Sequence, residues 1–156
     1  MSEKPLWDAR KSTLLSIVVG WIALIGALVC LGLVVPYLKS FSTAAFLDSS
    51  FVARAVGPVY ACLLFGIMAV VVLLRLLHSI QKGEVFTADN VRRLRLISYS
   101  GFAIALSCIV GAIITPTHLS FIILAAIASF LGLLMRVIKN VIDAARLLKE
   151  DADFTI

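Results

Sequence analysis

The chain has 156 residues, of which 62% are hydrophobic and only 15% charged, with a mean hydropathy of +1.08. Soluble domains carry about 25% charged residues, so the composition excludes an ordinary globular fold and points to a lipid environment. A formal net charge of +5 would suit nucleic acid, but lysine and arginine enrichment on the inner side of a bilayer protein accounts for it, and no direct nucleic-acid contact is expected.

Met1 to Lys11 is a short polar lead in which Lys4, Arg10 and Lys11 are offset by Glu3 and Asp8. The apolar run that follows, residues 13–38, is longer than the ~7–15-residue apolar core of a cleavable signal and long enough to cross ~30 Å of hydrocarbon. It is expected to be a first span, with Pro36 and Tyr37 at its far end. Residues 39–51 then read as the longer outer loop. Its phenylalanines, Phe41, Phe46 and Phe51, either form a short helix on the membrane face or cap the bundle, and the absence of helical periodicity favours the cap.

A second span is predicted over 52–77, with the helix continuing to about Lys82. At 1.5 Å per residue that is ~45 Å, so about two turns project beyond the hydrocarbon. They carry Arg75, His78, Gln81 and Lys82. Pro58 coincides with the helix start or kinks it. A polar hairpin, 78–93, interrupts the apolar chain. Gly83 suits a helix stop, Thr87 a restart through its hydroxyl, and Asp89 the positive end of the new helix.

The third span, 94–114, is expected to stop at Thr115-Pro116, because the residue before a proline disfavours helix. Thr117, His118 and Leu119 make a tight outer turn, and the fourth span covers 120–136. Beyond it, 137–156 form an amphipathic tail expected to lie against the hairpin or the membrane surface. Val137, Ile138, Val141, Ile142, Ala145 and Leu148 fall on one side, and Arg136, Lys139, Asp143, Arg146 and Glu150 on the other. Asp143 and Arg146 are spaced to pair, a contact worth ~0.2–0.5 kcal/mol when exposed.

These elements predict an all-α polytopic membrane protein, a bundle of four transmembrane helices in which helices 2, 3 and 4 extend into the cytoplasm. With four spans, both termini and the hairpin share one side, which holds every lysine and arginine except Lys39 and Arg54. That side is the cytoplasmic one by the positive-inside rule. Small residues at helical spacing, Ala23 with Ala27, Cys62 with Gly66, Ser107 with Gly111 and Ala128 with Gly132, offer faces on which helices approach closely.

No catalytic, cofactor-binding or metal-binding residue is expected. Cys30, Cys62 and Cys108 lie at a similar depth, yet each is flanked by apolar residues that disfavour a thiolate, and packing explains them. His78 and His118 fall on opposite sides of the membrane and so cannot share a metal. Coupled transport generally places an acid or base inside the hydrocarbon, and none of the nine acids falls within a span core. Glycine-rich phosphate loops, nucleophile elbows and paired carboxylates do not occur, which argues against an enzyme.

The inner face remains. Lys82, Arg92, Arg93, Arg95, Lys139, Arg146 and Lys149 form a basic collar suited to anionic lipid headgroups. Beyond it stand Glu84, Phe86, Asp89 and Asn90 in the hairpin, and Asp151, Asp153, Phe154 and Ile156 in the tail. This acidic and aromatic tip is a candidate surface for a soluble partner. The alternative is that Phe86 packs beneath its own hairpin and the tail frays.

The segment Gly83-Glu84-Val85-Phe86-Thr87-Ala88-Asp89-Asn90-Val91-Arg92-Arg93-Leu94-Arg95 and the ending Leu148-Lys149-Glu150-Asp151-Ala152-Asp153-Phe154-Thr155-Ile156 resemble the two signatures of a bacterial four-span family catalogued as domain of unknown function 2975. Asp151-Ala152-Asp153-Phe154 departs from the acidic and asparagine run usual in that ending. Members are often encoded beside a small helix-turn-helix regulator, so the resemblance implies a membrane protein that holds or releases a transcription regulator, and no catalytic residues. The expected function is a non-enzymatic inner-membrane modulator of that kind. The alternative is a lipid-binding or transport-associated small subunit.

Overall fold

The computed structural model describes residues 5–48, 50–83 and 86–154, with side-chain surroundings from Lys11 to Ala152. They form four helices, α1 Pro5–Ala44, α2 Ser50–Gln81, α3 Ala88–Ile114 and α4 His118–Phe154, with no strand among the described residues. Each is long and apolar enough to cross a membrane. In lipid, where no water satisfies a stray N–H or C=O, a helix meets all its backbone bonds within one segment.

Short turns join successive helices, so neighbours run antiparallel. One end of the bundle therefore gathers the start of α1, the α2–α3 turn and the end of α4. Packing is strictly sequential, α1 on α2, α2 on α3 and α3 on α4, and α1 does not pack on α4 among the described residues. The four-helix bundle is thus an open row.

The buried positions invert the pattern of a soluble core. Leu14, Leu15, Ile22, Ile113 and Phe130 are exposed, while Ala55, Ala105, Cys108, Asn90, Ser98, Ser100 and Thr115 are buried. Lipid is as apolar as leucine, so large side chains gain nothing by turning inward, and small residues that allow close backbone approach take the interfaces. Ser100 Oγ bonds Leu96 O at 2.9 Å and Thr115 Oγ1 bonds Gly111 O at 2.7 Å, which satisfies these hydroxyls within α3 or at its end.

Two helix boundaries differ from expectation. Pro36 does not end the first helix; it sits inside α1, which runs on to Ala44. A proline removes one backbone bond, and the packing around it holds the helix. Val34 and Leu38, on either side of Pro36, are buried with Phe51 and Ala55 of α2. Most of the expected outer loop is consequently helix. α1 closes through a Schellman arrangement, with Phe46 N bonded to Thr43 O at 3.4 Å, Leu47 N to Ser42 O at 2.9 Å, and Phe46 at φ 51 in the left-handed position usually taken by glycine. Of the loop phenylalanines only Phe51 caps the bundle. Phe41 stands beside it with ring centroids 6.0 Å apart, and Phe46 is 96% exposed. α4 begins at His118, in the expected turn. Helix is possible there because Pro116 lies outside it, and the His118 ring bonds back to Ala112 O.

The expected stop at Thr115-Pro116 is present, as is the Ala128/Gly132 contact. Its partner on α3 is Gly101. A Cβ on Gly101 would stand 3.0 Å from Gly132 Cα and 3.2 Å from Ala128 O, both backbone atoms that cannot rotate away. Ser98 Oγ donates to Gly132 O at 2.8 Å across the same crossing. Gly101→Ala is expected to destabilise the protein by about 1–3 kcal/mol, the usual cost of forcing an extra methyl into a closed contact. At Gly26 an added methyl would meet nothing within 4 Å, so alanine there should be accepted without loss. Denaturant titration of helicity in detergent measures both.

Candidate functional site

The hairpin is built from local signals. α2 ends where Lys82 N bonds Ser79 O at 3.1 Å and Gly83 N bonds Ile80 O at 3.0 Å, and Gly83 turns the chain at φ 82. That left-handed backbone clashes with a Cβ in other residues. α3 restarts with Thr87 as its N-cap, at φ −108 and ψ 150, its side chain accepting from Asn90 N at 3.4 Å. Asp89 lies in the first turn, where a carboxylate complements the helix dipole.

One side chain ties the two helices together. Arg93 Nη1 donates to Arg75 O of α2 at 3.1 Å and to Asn90 Oδ1 of its own helix at 3.1 Å. Arg75 lies in the last two turns of α2, and its carbonyl oxygen has a second lone pair to offer beyond its helix bond. A guanidinium supplies the donor there and keeps further N–H groups for other acceptors.

Around this brace the basic collar divides into two clusters. Arg75, His78, Lys82 and Arg93 line a crevice of about 520 Å³ between α1, α2 and α3. Residues 75, 78 and 82 follow the three-to-four spacing that places them on one face of α2. Trp21 and Leu24 of α1 and Leu74 of α2 form its apolar wall. α1 meets α2 here at Gly20, where an added Cβ would lie 2.7 Å from Leu74 Cδ2 and the leucine side chain would have to turn aside. Arg95, Arg136 and Lys139, with Ser98 and Tyr99, line a second crevice of about 200 Å³ between α3 and α4. Arg92 is exposed and lines neither. Sequence reasoning grouped these cations as one collar and missed Arg75, His78 and Arg136 as members. The spacing within α2 was the available signal, whereas the closure by Arg93 depends on how α3 docks.

The sequence-derived tip residues do not all share one environment. Phe86 is 45% exposed, and Asp89 and Asp151 are exposed. Asn90 is buried to 1% and serves the hairpin brace, so it is not on the outer surface. Glu84, Ile156 and the side chains of Asp153 and Phe154 lie outside the described residues.

α4 continues unbroken through the expected tail to Phe154. Its rotation differs from the simple amphipathic expectation. Met135, Lys139, Ile142, Asp143 and Arg146 are half-buried, while Val137 and Val141 are each 62% exposed and Leu148 is 71% exposed. The inner side therefore includes charged residues, and an apolar stripe faces outward. The ion pair on this helix is Arg146 with Glu150, Nε to Oε1 at 3.5 Å, in place of the expected Arg146 with Asp143. At a half-exposed carboxylate it is worth no more than ~0.5 kcal/mol.

Two of the cysteines, expected to be isolated packing residues, do meet. Cys62 Sγ and Cys108 Sγ are 3.5 Å apart, one on α2 and one on α3, while Cys30 is exposed elsewhere on α1. They border an apolar crevice of about 490 Å³ between α2, α3 and α4, with Phe121 and Gly132 on the opposite wall. Among the described residues no three metal-ligating side chains gather, and His78 and His118 lie at opposite ends of the bundle by the helix order.

Four apolar helices, with polar groups at their ends and small residues between them, define a multi-pass membrane protein. The profile of the family described as "Protein of unknown function (DUF2975)" matches residues 34–156, and the chain belongs to that family. No curated protein and no solved structure matches it.

The thiol contact makes a direct check of the α2–α3 packing. Oxidation with copper phenanthroline in the membrane is expected to consume two thiols and link Cys62 to Cys108, seen as a disulfide-linked peptide pair by mass spectrometry. Cys30→Ser should leave that product, and Cys62→Ser should abolish it.

Proposed function

We propose that this is a non-enzymatic inner-membrane protein whose hairpin end faces the cytosol and holds a small helix-turn-helix regulator. The observation that carries this reading is the outward apolar stripe at the end of α4. About 20 residues of helix cross the hydrocarbon, so a helix starting at His118 leaves the lipid near residue 138. Leu147 and Leu148, 52% and 71% exposed, stand about two turns beyond that level. An amphipathic helix with an open apolar stripe is a common docking element for a folded partner. Glu150 and Asp151 follow it, and Phe86 and Asp89 project from the neighbouring hairpin. Exposed carboxylates at Asp89 and Asp151 on the same end as these apolar anchors suit a nucleic-acid-binding protein, whose own surface is basic.

A second reading is supported by the cationic crevices. Arg75, Lys82 and Arg93 converge on one, and Arg95, Arg136 and Lys139 on the other, which suits anionic headgroups at the same end of the bundle.

Both readings require that end to be cytosolic. Reporters active only in the cytosol, inserted after Gly83 and after Ile156, are expected to score together; opposite results would remove the docking surface. A photo-reactive amino acid in place of Phe86 or Leu148 is expected to cross-link a helix-turn-helix protein, identified by peptide sequencing, in native membranes. Asp89→Lys with Asp151→Lys should reduce that adduct about tenfold, the effect of placing like charge against a basic partner. If both labelled proteins yield only lipid or self adducts, the regulator reading fails.

A further inference from the structure

We propose that the crevice between α1, α2 and α3 is a binding site for one phosphate-bearing lipid, its headgroup held by Arg75, Lys82 and Arg93 and its first acyl segment laid along Trp21, Leu24 and Leu74. This rests on the headgroup reading above and turns a general attraction into a single site. Three features of the crevice agree on the ligand. Its volume, about 520 Å³, is that of a pocket for a small molecule or a lipid headgroup with part of a chain. Three permanent cations and His78 line it with no carboxylate among the described lining residues, so an anion entering it meets no like charge. Apart from Ser79, its remaining wall is apolar and includes Trp21, the side chain that prefers the boundary between headgroups and tails.

The groove also has a direction. On α2 the order Leu74, Arg75, His78, Lys82 runs from the middle of the helix toward its end, so apolar wall precedes charge along the path from lipid to water. That is the order of a phospholipid from tail to headgroup. Arg93 closes the charged end, and its two bonds, to Arg75 O and Asn90 Oδ1, use the single nitrogen Nη1. The guanidinium is thereby held in place before the ligand arrives, which lowers the ordering cost of binding. Gly20 admits Leu74 on the α1 side. A bound lipid would therefore join three helices that otherwise pack only as sequential pairs.

The test uses the full-length protein in mild detergent, with retained lipids counted by native mass spectrometry after adding phosphatidylglycerol or phosphatidylcholine. One phosphatidylglycerol should be retained at least about tenfold more than phosphatidylcholine. Arg75→Gln with Lys82→Gln should weaken retention about 25-fold, at about fivefold per cation. Arg92→Gln with Lys149→Gln, which line neither crevice, should change it less than about twofold, since exposed charges away from the site are screened. Arg75→Lys with Lys82→Arg keeps both charges and should retain the lipid, which separates lost charge from lost fold. Trp21→Ala should weaken retention while leaving the preference for phosphatidylglycerol. Equal loss from the two glutamine pairs would overturn the site while leaving general headgroup attraction intact. Absence of any preference for phosphatidylglycerol in the wild type would overturn both. Displacement of the lipid by millimolar inorganic phosphate would show a site for free phosphate and overturn the lipid assignment.

Discussion

The crossing of α3 over α4 at Gly101 and Gly132 is the contact on which the remaining packing depends. With backbone atoms too close for any Cβ to enter without a shift, the two helices are held by many short dispersion contacts and by the Ser98 hydroxyl on Gly132 O. Lipid offers no hydrophobic drive toward such an arrangement, so fit alone must supply the attraction. That explains why much of the exposed surface is large and apolar while the α3–α4 crossing carries glycine, alanine and serine. It also sets the rotation of α4. Once Gly132 faces α3, Met135, Lys139, Ile142 and Arg146 follow on the same side at helical spacing, and Val137, Val141 and Leu148 are turned outward.

The hairpin end is organised by a different force. There the helices leave the lipid, water competes for every polar bond, and charge rather than close fit decides the arrangement. Arg93 ties α3 to α2 by the bond from Nη1 to Arg75 O, and the bond from the same nitrogen to Asn90 of its own helix orients it; each is stronger than a neutral one because the donor is charged. The same residue lines the larger cationic crevice. Structural brace and crevice lining are thus joined in one side chain. A ligand that drew Arg93 away from Asn90 would loosen the start of α3, whereas one that accepts from its other nitrogens would tighten it.

Features encoded by a few adjacent residues were legible in the sequence. The Gly83 turn, the Thr87 cap, the stop before Pro116 and the four spans each depend on backbone preferences or on hydropathy summed over a window, and each is present. Features that depend on a second helix were not legible. Pro36 reads as a terminator until Val34 and Leu38 are seen packed on Phe51 and Ala55. Cys62 and Cys108 are 46 residues apart and meet only because α2 and α3 share a register. Gly101 looks like any other glycine without Gly132 opposite. The cationic collar was visible as composition, but its division into two crevices required the positions of Arg75, Arg93, Arg95 and Arg136 in space.

The outward stripe on α4 connects these points to function. Burying a leucine is worth about 1.5–3 kcal/mol, so Leu147 and Leu148 represent a sizeable unrealised gain where they face water. Lipid covers Val137 if the helix crosses at the expected depth, because about 20 residues from His118 reach that level. Leu147 and Leu148 are about 14 Å farther along the axis and beyond the hydrocarbon. The rotation imposed by Gly132 keeps them from folding back onto α3, since that side of the helix is already taken by Lys139, Asp143 and Arg146. The protein's own packing thus leaves Leu147 and Leu148 uncovered, at the end of the bundle that also carries the exposed Asp151, Phe86 and Asp89.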